Sequence, residues 1–168
     1  MIRFASEADI PAIMKFIDEN WRKNHVLSRN RELFEFQHRW GDEITYVLSK
    51  KDGLITGILG YIPYGSSNRD ALLTTWKAIK TEDTMQGIRL LTYLRENGNV
   101  RSVASPGINP KTISIYKFLN FNTGVMKQWY RLQEKPEYRI AWITNCLIPQ
   151  VDNTEEVYVA KINSFSES

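Results

Sequence analysis

The sequence predicts an α/β fold: a central mixed, mostly antiparallel sheet with helices on both faces. Two observations lead there. Two β-periodic apolar runs, residues 44–48 and 54–62, flank Lys51-Asp52-Gly53, a strong hairpin turn signal. After residue 80 the period alternates between helix and strand, which builds a sheet covered by its own connections. The 168 residues make room for one domain of ordinary size. Apolar residues at 42% and charged residues at 24% exclude wholesale disorder.

Each element follows from local chemistry. Residues 2–5 read as a short strand. Ser6 with Asp9 three positions on forms a capping-box signature. Ile10, Ile13, Met14, Ile17 and Trp21 then recur at helical spacing, so residues 7–21 are expected to be an amphipathic helix, with Pro11 early enough to be tolerated. Residues 22–30 are polar and basic. Asn30 can cap a second helix that carries Leu33, Phe34, Gln37 and Trp40 and closes at Gly41. After the hairpin, residues 64–70 read as a loop and 71–80 as a third strand. Residues 86–96 read as a helix ended by Asn97-Gly98. Residues 100–104 are a short strand. Asn109-Pro110 opens a further helix with proline at its first position. That helix carries Ile113, Tyr116 and Leu119 and stops at Asn120, and residues 121–132 read as a long last strand. The predicted organisation is a domain over residues 1–133 and a C-terminal extension over 134–168. The extension holds two strand-like runs, 138–143 and 157–162, and frays over its last five residues.

Composition narrows the chemistry. Net charge is +3, too small to argue for nucleic acid and compatible with an anionic small ligand. The lone cysteine, Cys146, excludes an internal disulfide and a cysteine-based zinc site. It sits among Trp142, Ile143, Leu147 and Ile148 and reads as inert. Two histidines, His25 and His38, exclude a His-rich metal centre, so no metal is expected. The opening Met1-Ile2-Arg3-Phe4 runs directly into polar Ser6-Glu7-Ala8-Asp9, unlike a signal peptide, and no apolar run is long enough to span a bilayer. The expectation is a cytoplasmic protein with no membrane or nucleic-acid partner. A homodimer could form through an exposed sheet edge or the extension.

The most informative segment is Asn109-Pro110-Lys111-Thr112-Ile113-Ser114-Ile115-Tyr116-Lys117-Phe118-Leu119-Asn120-Phe121. It resembles the C-terminal motif of the GNAT superfamily of N-acetyltransferases: Asn, a helix, Tyr, then Leu-Gly-Phe. Asn120 stands where that family usually has glycine. A second segment, Trp76-Lys77-Ala78-Ile79-Lys80 followed by a loop and the helix from Gly87, resembles the family's strand, diphosphate loop and helix. Of the three signature positions there, Glu82, Met85 and Gly87, only Gly87 agrees. The opening Phe4-Ala5-Ser6-Glu7-Ala8-Asp9-Ile10-Pro11 is similar to a common opening of the family, and the resemblance covers residues 2 to about 132. The segment from Trp21 to Trp40 resembles acetyltransferase-like proteins found among polysaccharide-biosynthesis enzymes.

The resemblance implies transfer of an acetyl group from acetyl-CoA to a primary amine of a small molecule, an amino sugar being the acceptor class to test first. It implies Tyr116 as the acid that protonates the departing thiolate; a tyrosine and a thiol have neighbouring ordinary pKa values. It implies that Ala78 or Ile79 offers a backbone N–H to the thioester carbonyl. The cofactor-binding set is completed by Lys80, the loop and helix start at Met85, Gln86, Gly87 and Ile88, and Asn109, which would contact the pantetheine arm or fix the helix that follows it. For the base that deprotonates the amine, the residues leave His25, Glu35, His38, Asp70 and water open. The residues also have plainer roles. Tyr116 on an amphipathic helix can be a core residue, and Trp21 and Trp40 sit at packing positions. Arg22, Lys23, Arg29 and Arg31 read as a solvated face or as a site for an anionic acceptor. Two rival functions follow: a catalytically degenerate binding module, and an acyltransferase acting on peptides.

Overall fold

A computed structural model describes residues 1–80 and 82–126. The chain divides after Phe121, and the fold below is that of the first unit, Met1–Phe121. The predicted strands at 138–143 and 157–162, the whole of 134–168 and Cys146 lie outside the described residues.

Strand β1, Ile2–Ala5, leads through a short 3-10 turn into helix α1, Ile10–Phe16. Asp9 secures that entry. Its carboxylate accepts from the Ser6 N–H and Oγ, each at 2.9 Å, and pairs with Arg3 at 2.7 Å and Lys50 at 2.8 Å. The predicted helix over 7–21 is therefore three pieces. Its last turn, Ile17–Trp21, is a π-turn, which rotates Trp21 off the α-helical phase. Short helix α2, Val26–Arg29, and helix α3, Arg31–His38, follow. The Asn30 side chain accepts from the Leu33 N–H at 2.9 Å, as its predicted cap role requires.

Helix α3 stops at His38 rather than at Trp40. Arg39–Trp40 instead forms strand β2, folded onto the start of β3, Glu43–Lys51, through Gly41 at positive φ. Strand β4, Leu54–Tyr64, and β5, Asp70–Ala78, complete the antiparallel part. Helix α4, Gln86–Asn97, crosses to strand β6, Ser102–Ala104, which pairs parallel with β5. Helix α5, Ile113–Phe118, ends the unit. The sheet order is β1-β3-β4-β5-β6, with β2 also on β3. The described part of the predicted last strand, residues 121–126, carries no regular structure.

Alternation along the strands builds two cores. On one face Tyr46, Leu48 and Ile58 pack under α1 and α3 residues Ile10, Ile13 and Phe34. On the other, Val47, Leu59 and Leu73 pack under Leu90, Leu91 and Leu94 of α4. Fully burying one such side chain stabilises by about 1.5–3 kcal/mol, so these two layers fix the sheet on which the site rests.

Candidate functional site

The site begins with a fault in the sheet. On β4 and β5 the register runs Leu59↔Trp76, then Tyr61↔Leu73, so β5 holds one extra residue opposite Gly60. The bulge comprises Thr74 and Thr75, and an added Cβ at Gly60 would lie 2.7 Å and 2.6 Å from their hydroxyls. Glycine is needed here for close approach. Beyond the bulge β5 loses its other neighbour as well. Pairing with β6 covers only Asp70↔Ser102, Ala71↔Val103 and Leu72↔Ala104. From Leu73 onward the two strands part.

A cleft of about 550 Å³ lies in that opening, a size usual for small-molecule sites. Its floor is β5 from Leu73 to Ala78. Gly87 and Ile88 of α4, Asn109 and Tyr116 line its sides, and Trp21 reaches it from the π-turn. Ile79 donates its N–H to the Thr56 carbonyl at 2.9 Å. Antiparallel strands alternate which way their N–H groups face, so Ala78 turns its own N–H away from β4, toward the opening. Of the two backbone donors expected, Ile79 is thus excluded by its engagement with β4, and Ala78 remains.

Tyr116 is buried among aromatic neighbours. Its ring meets Trp76 edge-on at 5.6 Å and Phe121 edge-on at 5.3 Å, and its hydroxyl lies 2.9 Å from Ser105 Oγ. The Trp76 indole N–H in turn donates to the Gly87 carbonyl at 3.0 Å, tying β5 to the first turn of α4. The Asn109 side chain accepts from the Lys111 N–H at 3.0 Å and caps the turn before α5.

The start of α4 is partly occupied by its own loop. Asp83 accepts from the Met85 N–H at 3.1 Å through its carboxylate and from the Gln86 N–H at 3.3 Å through its carbonyl, and its carboxylate pairs with Arg89 at 3.3 Å. The first intrahelical bond is Arg89 N–H to Met85. Gly87 and Ile88 lie between, at positions whose N–H groups have no partner within the helix. The Gln86 side chain points the other way, into β3 and β4, where its amide donates to Ser49 Oγ at 2.8 Å and to Thr56 Oγ1. Lys80 is exposed and is not among the residues that line the cleft.

The structure also sorts the expected bases. His25 caps α2: its Nδ1 accepts from the Leu27 N–H at 3.2 Å. The neutral ring then carries its proton on Nε2 and has no spare lone pair for an amine. Burial, then the nearby Arg22, lowers its pKa further. The His25 ring meets Trp21 edge-on, with ring centroids 4.8 Å apart, and does not line the cleft. His38 is fully buried, and desolvation pushes its pKa down to about 4, against a hydrogen bond with the Tyr61 backbone. Its Nδ1 lies 3.1 Å from Thr45 Oγ1 and its Nε2 3.5 Å from Thr74 Oγ1, so it braces the bulge. Asp70 is buried against Arg101, at 2.6 Å, and Ser102, at 2.7 Å, which hold its carboxyl below the ordinary range. Glu35 lies between Arg31 and Arg39. None of the four side chains stands in the cleft among its described lining residues. Trp21 and Ser105 do, and the sequence reading missed both. Trp21 carried a signal that pointed elsewhere, its helical spacing. Ser105 carried none.

Among the described residues, no group of His, Cys, Asp or Glu could hold a metal ion, and no helix is long and apolar enough to cross a membrane. The sequence matches no protein-family model and no curated protein. Solved structures are similar in fold. An aminoglycoside N-acetyltransferase, AAC(6')-Iy, in complex with CoA shares 14% identity over 79% of this chain and 94% of its own, with a TM-score of 0.60. An aminoglycoside acetyltransferase from an uncultured soil sample shares 13% over 79% and 98%, at 0.61. A ribosomal-protein-alanine N-acetyltransferase from Brucella melitensis shares 22% over 73% and 84%, at 0.51. The likeness shows the fold, a mixed α/β sheet of the kind found in GNAT acetyltransferases.

Proposed function

We propose that this protein is an N-acetyltransferase that moves an acetyl group from acetyl-CoA to a primary amine of a small molecule by direct attack in a ternary complex. The observation that carries the reading is the parting of β5 from β6. It opens a cleft with the Ala78 N–H turned into it, the α4 N-terminus on one side and the Tyr116 ring on another.

The residues fit the chemistry. Gly87 and Ile88, with the partial positive charge of the α4 N-terminus, would face the diphosphate. An added Cβ at Gly87 would lie 3.6 Å from the Trp76 indole nitrogen and 3.9 Å from the Ala78 Cβ, ordinary contact distances, so a methyl fits there and a longer side chain would crowd the approach. The Ala78 N–H would hold the thioester carbonyl oxygen as negative charge builds on it. The neutral amine attacks the carbonyl carbon, a C–N bond forms and the C–S bond breaks. The amine's excess proton leaves to water, and the Tyr116 hydroxyl protonates the thiolate before regaining a proton from solvent. Ser105, by donating to the Tyr116 oxygen, would leave the phenolic proton free for sulfur. The acceptor class we put first is an amino sugar. The similar structures of aminoglycoside acetyltransferases support a sugar-borne amine.

One observation favours a second reading, a binding module without catalysis. Asp83 places a carboxylate on the Met85 N–H, next to the Gly87 and Ile88 donors that the diphosphate would use. Thiol release from acetyl-CoA with a panel of amines, checked by product mass, separates the two. Amine-dependent release with an acetylated product supports the enzyme, and its absence with every amine at millimolar concentration removes it.

A further inference from the structure

The face of the cleft on the α1 side carries a cation that the acetyl-transfer reading leaves unexplained. Lys77 lines the cleft one residue before Ala78. Successive strand residues face opposite ways. Trp76 packs with the α4 core and Ile79 with the α1 core, so Lys77 lies on the α1 side, the side from which Trp21 enters. Lys77 is in none of the ion pairs among the described residues.

The carboxylates of the bordering elements are engaged elsewhere. Asp18 accepts from the Asn24 N–H at 2.7 Å and Ser28 Oγ at 3.0 Å, and Glu19 pairs with Lys15 at 3.8 Å. Glu82 pairs with Lys51 at 3.7 Å, Asp83 with Arg89, and Asp70 with Arg101. Next to Trp21 in the chain comes a second cation, Arg22, which is exposed.

Resting on the acetyltransferase reading, we propose that the acceptor is an amine that also carries an anionic group, a carboxylate or a phosphate, held by Lys77 while its apolar face packs on Trp21. The same cation assists the chemistry. Paired with the acceptor's anion, it cancels a field that would otherwise favour the ammonium form of the amine, in a cleft where the expected side-chain bases are placed elsewhere.

The test is steady-state acetylation by the full chain of glucosamine, glucosamine 6-phosphate, glucosaminate and kanamycin at matched ionic strength. Acetyl-CoA binding is measured alongside by calorimetry. One of the two anionic amines is expected to exceed glucosamine in kcat/KM by about tenfold or more, and the better one tells phosphate from carboxylate. Lys77→Met is expected to erase that preference by raising the acceptor KM with the KM for acetyl-CoA unchanged, and Lys77→Arg to restore most of it. Glucosamine or kanamycin used as well as the anionic amines would overturn the proposal. So would a Lys77→Met effect confined to the KM for acetyl-CoA, or acetyl-CoA binding with no turnover of either anionic amine. Failure to bind acetyl-CoA would instead bring down the function reading beneath it.

Discussion

The Phe121 N–H donates to the Tyr116 carbonyl at 2.9 Å, and the two rings meet edge to face, 5.3 Å apart. With Asn120 N–H donating to the Lys117 carbonyl at 3.0 Å and Asn120 at φ 61°, this is a Schellman cap, complete with its apolar contact. The cap locks α5 at the turn that bears Tyr116. It explains why Leu119-Asn120-Phe121 serves where the resemblance leads one to expect glycine: asparagine tolerates the left-handed region better than other side chains.

Tyr116→Phe keeps the ring contacts and removes only the hydroxyl. Turnover is expected to fall about 100-fold or more, the usual loss for a positioned acid. Acetyl-CoA affinity and melting temperature should barely move. Stopped turnover assays and a thermal melt check both halves.

Asn120→Gly should leave stability unchanged or slightly higher, because glycine enters positive φ without strain. Asn120→Val should cost about 1–2 kcal/mol, since a β-branched residue pays the full left-handed penalty. Urea denaturation of both variants reads the difference.

Gly60→Ala puts a methyl within 2.7 Å of the Thr74 and Thr75 hydroxyls and the Tyr46 ring. Relief requires the bulge to move, at about 1–3 kcal/mol. Activity should fall more than stability suggests, because the bulge sets the direction of the strand that bears Ala78. Circular dichroism and kcat measured on the same preparation test this.

Stability should decline in mild acid. Burial holds the folded His38 near pKa 4, below its ordinary 6.5, so the unfolded chain binds the extra proton between those values. The contribution is intact above about pH 6.5, shrinks as pH falls and is lost near pH 4, a change of roughly 3 kcal/mol. In urea titrations from pH 7.5 to 4, His38→Gln should flatten the profile and narrow its deficit to wild type as pH drops.

Much of this was legible in the sequence, where pattern and turn chemistry agree. The Lys51-Asp52-Gly53 hairpin, the Asn30 cap and the helix over 86–96 lie where pattern and turn chemistry put them, and the strand expected over 100–104 forms over its last three residues, Ser102–Ala104. What was illegible depends on tertiary context. Thr74 and Thr75 read as ordinary β-branched strand residues, and only the register against Gly60 makes them a bulge. Trp40 fits a helical phase but is drawn into β2 by pairing with Glu43. Trp21 fits the same phase until the π-turn rotates it to the cleft. For the site, Tyr116, Gly87 and Asn109 were visible through the resemblance and do converge on one cleft. His25 could not be placed from sequence, because the cap hydrogen bond on its ring nitrogen leaves no trace there. Ile79 and Ala78 differ only in which way the strand turns their N–H groups.

The most direct measurement is calorimetric titration of acetyl-CoA into wild type and Gly87→Glu, with Gly87→Ala as the control that the local space accommodates. Wild type should bind with a micromolar dissociation constant, about −8 kcal/mol. Gly87→Ala should keep most of that affinity, and Gly87→Glu should lose it by aiming a carboxylate into the cleft. No heat at millimolar acetyl-CoA, or equal binding by Gly87→Glu, would contradict the placement of the diphosphate at the α4 N-terminus and the acetyl-transfer function built on it.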